Sequence, residues 1–373
     1  MHATRPDRGI ALILALLVLT LLVVVVGQLA YTTRNDLQVA RNAADEQGAL
    51  FACWGGLEFG QALLRDDVQR NAHDGLADRW ARLKKPLDIG GTKVELVVED
   101  EERKLNLLLL KSPNEAHVTW AEETLKRLVK LAREPDQTEG AMPPEQLAEH
   151  IIEWLKEGKV PGVSSDEQAF KEEGGTDAIP PLTLAEFLAV EGVTPSVLYG
   201  PAKPRTPVRD PDTDPYALAE EAPTEPGTLE ELLGKAEKQP RGLAPFLTLW
   251  TGGHVNINTV DPLLLKAMAE TIGDETVEAV VSARQPGGTG DANSDADAFV
   301  DQAFTEVAKV REVQGMDDAG EGTPWKTMSP FLTVGSQVFK LTATATVRNV
   351  RKSVEQVVRR EPDGFRVLWY QER

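Results

Sequence analysis

Hydrophobic residues form one continuous block near the amino end of the chain. Residues 10–30 carry no charged side chain, and a helix of this length spans the roughly 30 Å apolar core of a bilayer. No proline occurs between Pro6 and Pro86, and apolar residues continue at helical spacing beyond residue 30. The pattern therefore predicts one unbroken helix, with a transmembrane part at residues 10–30 and a more polar part at residues 31–70.

Alternating apolar and polar residues predict strands at two widely separated places. The first group lies within residues 85–111, with strands at residues 92–100 and 103–109. The second group lies within residues 329–373, where a turn signal at residues 361–364 separates the last two strands. Its three strands are expected at residues 337–348, 352–360 and 365–370.

Helical periodicity predicts two modules between these strand groups. The first occupies residues 112–199 and the second residues 228–328, and a proline-rich, charged linker at residues 200–227 separates them. An internal repeat relates Leu105-Asn106-Leu107 to Val255-Asn256-Ile257-Asn258. The predicted helices cover residues 120–132, 144–156, 182–191, 228–237, 261–272, 275–284 and 297–313.

This order of elements predicts an α+β fold. Both strand groups are expected to form one antiparallel sheet against the polar part of the first helix, and the helical block is then an insertion. Phe51 and Trp54 lie on that part of the helix. They are interpreted either as core residues packed on the sheet or as contacts to neighbouring chains.

Charge and cysteine content exclude several kinds of protein. The net charge of −19 disfavours general affinity for nucleic acid or anionic lipid, because both require a positive surface. Cys53 is the only cysteine, so an intrachain disulfide and a cysteine metal cluster are impossible. The five histidines are scattered, and no nucleophile elbow, Walker loop or dinucleotide fingerprint occurs. We therefore expect no enzymatic activity.

The amino end carries Arg5 and Arg8 against Asp7. By the positive-inside rule this end stays in the cytoplasm and the acidic body crosses the membrane. A cleaved secretory signal is disfavoured, because its apolar core should end after about 7–15 residues at an A-x-A-like site. A plain membrane anchor and a longer helix with an assembly role both remain open at this point.

The charge-free stretch that begins directly after Gly9, and the long helix that continues it, resemble the amino ends of type IV pilins and pseudopilins. The resemblance implies a leader peptide at residues 1–9, which a prepilin peptidase cuts between Gly9 and Ile10, with methylation of the new amine as a further step. Members of this group usually carry Glu five residues into the mature chain, where this chain has Leu14. That departure narrows the resemblance to minor pseudopilin K of type II secretion.

The narrower resemblance implies a function and a set of partners. Pseudopilin K is a single-pass protein of the bacterial inner membrane with a periplasmic body, placed at the tip of the pseudopilus, where it starts and caps the filament for export of folded proteins. The implied partners are the I-type and J-type minor pseudopilins, the major pseudopilin, prepilin peptidase and the inner-membrane secretion platform, without nucleic acid. The family also has two small helix-hairpin-helix-like (SAM-like) modules inserted in its sheet.

A different class of function remains as the alternative. Residues 255–262 also resemble the start of a helix-hairpin-helix, as found in membrane-anchored proteins of DNA uptake. Against this, only Gly273 is available where the hairpin needs a glycine pair, and residues 255–315 hold eleven acidic and four basic side chains, a net of −7. A structural turn that orders two packed helices is the favoured interpretation.

A candidate calcium site lies in the second module. Asp291, Asn293, Asp295 and Asp297 place oxygen-bearing side chains at alternate positions, and Asp301 or Glu306 would complete the shell. Ala296 replaces the glycine of an EF-hand loop, and Gln302 stands at its twelfth position. The resemblance implies calcium in the helical part, whereas the sequence alone favours a solvated acidic loop that caps the next helix.

Overall fold

The protein is described from a computed structural model, in which residues 7–83, 85–133, 142–157, 183–200, 241–284, 302–317 and 322–373 are described. Its first element is helix α1, Asp7–Arg70, an unbroken helix of 64 residues. At 1.5 Å per residue it is about 96 Å long. The predicted continuous helix is confirmed.

A five-stranded antiparallel sheet packs against the second half of α1. Its order is β1-β2-β7-β8-β9, so strand β2 of the early group pairs with β7 of the late group. The predicted single sheet is confirmed. The strands are β1, Leu87–Ile89; β2, Thr92–Asp100; β7, Val338–Val347; β8, Val350–Glu361; and β9, Gly364–Glu372.

Small residues allow α1 to approach this sheet closely. Ala49, Ala52 and Cys53 are buried against it. Gly60 lies so near the sheet that a Cβ atom there would be 2.6 Å from Cδ2 of Leu341, and one on Gly56 would be 2.8 Å from Cγ1 of Val94. Larger side chains at these positions would hold the helix away from the core.

The chain between β2 and β7 forms two modules with the same order of elements. Each begins and ends with a short strand, and these two strands pair in parallel. The first module contains β3, Leu105–Asn106; α2, Glu115–Arg133; α3, Pro144–Glu157; α4, Pro195–Tyr199; and β4, Leu247–Thr248. The second contains β5, Val255–Asn256; α5, Pro262–Met268; α6, Asp274–Ala283; α7, Pro324–Met328; and β6, Leu332–Thr333.

The repeat is clearest at the end of each module. Ala244-Pro245-Phe246-Leu247-Thr248 and Ser329-Pro330-Phe331-Leu332-Thr333 both form a 3-10 turn with a buried phenylalanine, followed by the closing strand. The two modules also share one hydrophobic core. Within it, the rings of Trp120 and Phe331 stack with centroids 3.9 Å apart, so the insertion is one packed body.

The structure changes two of the predicted boundaries. The strand expected at residues 103–109 is limited to Leu105–Asn106 and lies outside the main sheet, because the Asn106 side chain accepts a hydrogen bond from Leu108 N and starts a 3-10 turn. Residues 241–249 belong to the first module, because β4 pairs with β3. The linker predicted at residues 200–227 lies, beyond Gly200, outside the described residues, as does the helix at residues 228–237.

Three predicted helices are shorter than expected. The helix at residues 261–272 ends at Met268, where Trp120 Nε1 donates to Met268 O. The prediction of an α-helix at residues 297–313 is wrong for the described residues of this range. They form only a 3-10 helix, Val307–Glu312. The preceding backbone is held extended by its exchange of hydrogen bonds with the Asn258 side chain. The predicted helix at residues 182–191 is likewise a 3-10 helix, Leu184–Ala189.

Candidate functional site

The first half of α1 is a bare apolar rod. Every described side chain from Leu12 to Ala30, called the apolar segment below, is exposed. Its hydroxyl group at Thr20 is satisfied internally, since it donates to Leu17 O at 2.9 Å. This helix is long and apolar enough to cross a membrane, and so large an apolar surface requires lipid or neighbouring helices to cover it.

The sequence-predicted assembly and processing residues lie at the start of this rod. Leu14 is 59% exposed on the apolar segment. Gly9 and Ile10 belong to the backbone of α1, so the helix begins before the predicted cleavage point. The structure does not test cleavage, which remains a prediction.

Two aromatic residues are exposed just beyond the apolar segment. Phe51 is 60% and Trp54 41% exposed, so their interpretation as core residues is wrong. The small residues described above occupy the buried face of α1, and the aromatic pair lies beside that face. The rings meet edge to face with centroids 5.4 Å apart, and Trp54 Nε1 donates to the hydroxyl group of Tyr370 at 2.9 Å.

At its other end α1 reaches a buried polar cluster, called the polar junction below, made of Asp74, Asp100, Asn256, Thr259 and Ser336. The Asn256 side-chain amide donates to Asp74 O at 3.0 Å, to Asp100 Oδ2 at 3.1 Å and to Ser336 Oγ at 2.8 Å. Asp100 Oδ2 also accepts from the hydroxyl groups of Thr259 and Ser336. The junction therefore joins the loop after α1, the end of β2 and the second module.

Arg360 on β8 fastens the sheet to this junction. Its Nη2 donates to Asp74 Oδ1 at 3.2 Å and to Leu64 O at 3.1 Å, and its Nη1 donates to Ser336 O at 3.2 Å. The guanidinium lies over the ring of Phe339, 4.8 Å from its centroid. A charged donor with several acceptors and an aromatic contact is a strong anchor in a buried site.

Carboxyl groups accumulate at the junction, and their pKa values are raised. Burial raises the pKa of Asp100 to about 6, although the hydroxyl groups of Thr259 and Ser336 act in the opposite direction. Burial, followed by the charge of Asp100, raises the pKa of Glu102 to about 8. Glu102 Oε2 accepts from the backbone amides of Gln337 and Val338, which keeps this side chain in place.

The residues predicted for calcium and for DNA have different outcomes. Asp291, Asn293, Asp295, Asp297 and Asp301 lie outside the described residues, and the calcium prediction stays open. In the helix-hairpin-helix-like segment, Lys266 Nζ pairs with Asp274 Oδ1 at 2.5 Å. Arg284 is buried and donates to Ile257 O and Val260 O. Both cations are thus engaged inside the module, in agreement with the structural-turn interpretation.

Comparison with known proteins identifies related sequences and folds. The family model for type II secretion system (T2SS), protein K, matches residues 255–314, which lie in the second module. The crystal structure of the GspK–GspI–GspJ complex from the enterotoxigenic Escherichia coli type 2 secretion system contains a chain of similar fold, with a TM-score of 0.55. That match is 19% identical and covers 90% of this chain and 99% of the other. Among curated proteins, none matches this chain.

The fold likeness extends over nearly the whole chain, whereas the sequence match is confined to one module. Both the fold likeness and the sequence match agree with the resemblance to pseudopilin K that the sequence predicted. The second module is thus similar in sequence to type II secretion system protein K, and the chain shares its fold with a chain of the GspK–GspI–GspJ complex.

Proposed function

We propose that this protein is a minor pseudopilin at the tip of a type II secretion pseudopilus, where it starts and caps the filament used to export folded proteins. The observation that carries the proposal is helix α1. One continuous helix exposes an apolar segment at one end and packs on the sheet at the other. Because no break separates these parts, extraction of the apolar segment from the membrane would move the whole body with it.

The position of the insertion supports a place at the tip. The end of the second module contacts the loop that follows α1, where Asp74 N donates to Val334 O at 2.9 Å. The opposite end of the sheet lies nearer the apolar segment and is marked by the ion pair of Arg348 and Asp45, with Nη1 and Oδ2 3.0 Å apart. The bulk of the insertion therefore lies on the side away from the membrane. It would obstruct a subunit stacked above it.

Leu14 supports the same position. A carboxylate in an apolar layer is costly and persists only with a partner or a task. The resemblance implies that this task, in other pseudopilins, is pairing with the amine of a neighbouring subunit. With leucine in that place, the protein has no such group to offer to a subunit before it in the filament. The first subunit of a filament has no subunit before it and therefore needs no such carboxylate.

The proposed partners follow from the family. We infer that I-type and J-type minor pseudopilins bind beside α1, and that the major pseudopilin continues the filament below them. Phe51 and Trp54 provide exposed aromatic surface on α1 for such a contact, since aromatic residues are enriched at the centre of protein interfaces. Prepilin peptidase would process the leader in the inner membrane, and the secretion platform would drive assembly from there.

Co-purification tests the partner proposal. The full chain in detergent, co-expressed with I-type and J-type minor pseudopilins, is expected to retain both through affinity purification. Replacing Phe51 and Trp54 together by alanine should reduce the retained fraction about tenfold or more, since two central aromatic contacts are lost. The exposed pair Leu76 and Val97, replaced in the same way, is the matched control. Equal retention by all three proteins would refute the proposed surface.

Two further measurements test processing and position. Amino-terminal sequencing of protein from cells with active prepilin peptidase should begin at Ile10, and Gly9→Leu should block this cleavage. Immunogold labelling of overproduced pseudopili should mark filament ends only. Labels distributed along the shaft would contradict the tip position.

A further inference from the structure

An open groove lies between α1 and the edge strand β9, beside the buried face of the helix. Its volume is about 310 Å³, which is enough space to enclose a long side chain. Two aromatic residues, two carboxylates, one amide and one buried leucine line it. These residues, called the aromatic groove below, are Trp54, Tyr370, Glu58, Glu372, Gln356 and Leu57.

The aromatic rings of the groove are exposed but fixed in position. Trp54 and Tyr370 are each 41% exposed. Trp54 Nε1 donates to the Tyr370 hydroxyl group at 2.9 Å, and this hydroxyl group donates to Glu372 Oε1. Phe51 meets the Trp54 ring edge to face from outside the groove. The groove is therefore formed before a partner arrives, which lowers the entropic cost of binding.

The two carboxylates of the groove have no cation among the described residues. Both are exposed, and neither forms an ion pair within the described part of the chain. The basic residues nearest to Glu372 along the strands are occupied elsewhere. Lys352 on β8 pairs with Glu46, and Nη1 of Arg373, directly after β9, lies 3.2 Å from Glu355 Oε1. The groove thus combines aromatic surface with uncompensated negative charge.

Further along the same boundary between α1 and β9, the chain supplies a cation of its own. The guanidinium carbon of Arg65 on α1 lies 5.8 Å from the ring centroid of Phe365 on β9. A guanidinium within about 6 Å of a ring centroid is attracted by the negative face of the ring. The aromatic groove offers the same kind of ring surface with two carboxylates added, and no described residue provides the cation there.

We propose that the aromatic groove accepts an arginine side chain of a neighbouring I-type or J-type minor pseudopilin, an inference that rests on the proposed function. The guanidinium would lie against the rings of Trp54 and Tyr370 and pair with Glu58 and Glu372. Arginine suits this place better than lysine, because its planar group stacks on aromatic rings and binds carboxylates through two parallel hydrogen bonds. A second copy of this chain is disfavoured as the partner, since its net charge is also −19.

Binding of the purified I-type and J-type pair to the immobilised full chain in detergent tests the charge contribution. Glu58→Gln/Glu372→Gln keeps the shape of both side chains and the acceptor for Tyr370, and it should weaken binding about tenfold or more at low salt. Glu95→Gln/Glu361→Gln removes two exposed carboxylates outside the groove and is the matched control. Affinity of the unaltered protein should fall between about 50 mM and about 500 mM NaCl, and the groove variant should lose most of this salt dependence.

Charge reversal identifies the partner residue. Glu58→Arg/Glu372→Arg should abolish binding, because it places like charges together. Each arginine of the I-type and J-type chains is then changed to glutamate in turn, and one such change should restore binding to the charge-reversed protein. Restoration by a specific partner residue is not expected if the glutamates have only a structural role. Equal unfolding temperatures of the variants and the unaltered protein verify that all are folded.

The outcomes separate this inference from the proposed function. Absence of binding by the unaltered protein would overturn both. Binding by the unaltered protein with equal affinity in Glu58→Gln/Glu372→Gln, an equal loss in the control, salt-independent binding, or no restoration by any partner arginine would overturn this inference alone. Self-association of the unaltered protein that the groove variant abolishes would identify a second copy as the occupant and would also overturn it.

Discussion

The side-chain amide of Asn256 donates a hydrogen bond to Oδ2 of Asp100, with nitrogen and oxygen 3.1 Å apart. Asn256 is completely buried. It begins the second module, whereas Asp100 ends strand β2 of the main sheet. This amide is therefore one of several buried contacts that join the insertion to the sheet, together with the hydroxyl groups of Thr259 and Ser336. The stability of the whole body should depend strongly on such contacts.

Replacing Asn256 by alanine should destabilise the protein by about 2–4 kcal/mol. The change leaves Asp74 O and the backbone amide of Asn258 without this buried partner, and it removes one of the three donors to Asp100 Oδ2 that the Asn256, Thr259 and Ser336 side chains provide. Denaturant unfolding of the full chain in detergent measures the loss. The exposed residue Asn349 is the matched control, since its replacement by alanine should alter the free energy of unfolding by less than about 0.5 kcal/mol. Similar losses in both variants would contradict the role of the junction.

The close approach of α1 to the sheet predicts a position-specific effect of valine. Gly60→Val should lower the free energy of unfolding by about 1–3 kcal/mol, because even a Cβ atom there would lie 2.6 Å from Leu341 Cδ2. Gly48 lies on the same helix with nothing within 4 Å of a Cβ atom. Gly48→Val should therefore be neutral or stabilising by a few tenths of a kcal/mol. A stable Gly60→Val protein would show that the helix can move away from the sheet.

The raised pKa of Glu102 predicts that the stability of the folded protein falls as pH rises. Its pKa is raised from 4.5 to about 8, so above pH 4.5 the folded protein retains a proton that the unfolded chain releases. The free energy of unfolding should decrease between about pH 5 and pH 8, by up to about 1.4 kcal/mol per pH unit for this group. Glu102→Gln should remove that part of the slope.

Denaturant unfolding at a series of pH values, in EGTA, measures the slope. Glu95, exposed on the same strand β2, is the control, because Glu95→Gln should leave the slope unchanged. Asp100, whose pKa is raised to about 6, titrates in both variants, and Glu102→Gln also removes its coupling to Glu102. An equal slope in Glu102→Gln and the unaltered protein would show that Glu102 is ionised in the fold.

Arg284 and Lys266 should differ sharply when each is replaced by alanine. Arg284→Ala removes the charged donor to two buried carbonyl groups, those of Ile257 and Val260, and should cost about 2–4 kcal/mol of stability. Lys266→Ala breaks a partly exposed ion pair and should cost at most about 1 kcal/mol. In gel-shift assays with duplex DNA, neither change should reduce binding. Binding lost in both variants would favour the DNA-uptake alternative.

The sequence by itself determined the elements whose signals are local. The charge-free stretch and the absence of proline from residue 7 to residue 85 determined α1 as one helix. The alternation of apolar and polar residues determined β2 and the last three strands. Because these strands lie on either side of a helical block in the sequence, the block was identified as an insertion. These features depend on the backbone preferences and side-chain polarity of neighbouring residues, which can be read along the chain.

Tertiary structure alone decided which contacts these elements make. Helical periodicity allowed either the aromatic or the small-residue face of α1 to be buried. The sheet selected the face with Gly56 and Gly60, since only that face permits close approach. The strand pair β3 and β4 joins segments about 140 residues apart, for which no local pattern exists. Asp67 and Asp74 are near each other in sequence, but only tertiary structure buries them beside Arg360, where their charges interact strongly. Solvent screens exposed carboxylates, whereas burial removes that screening.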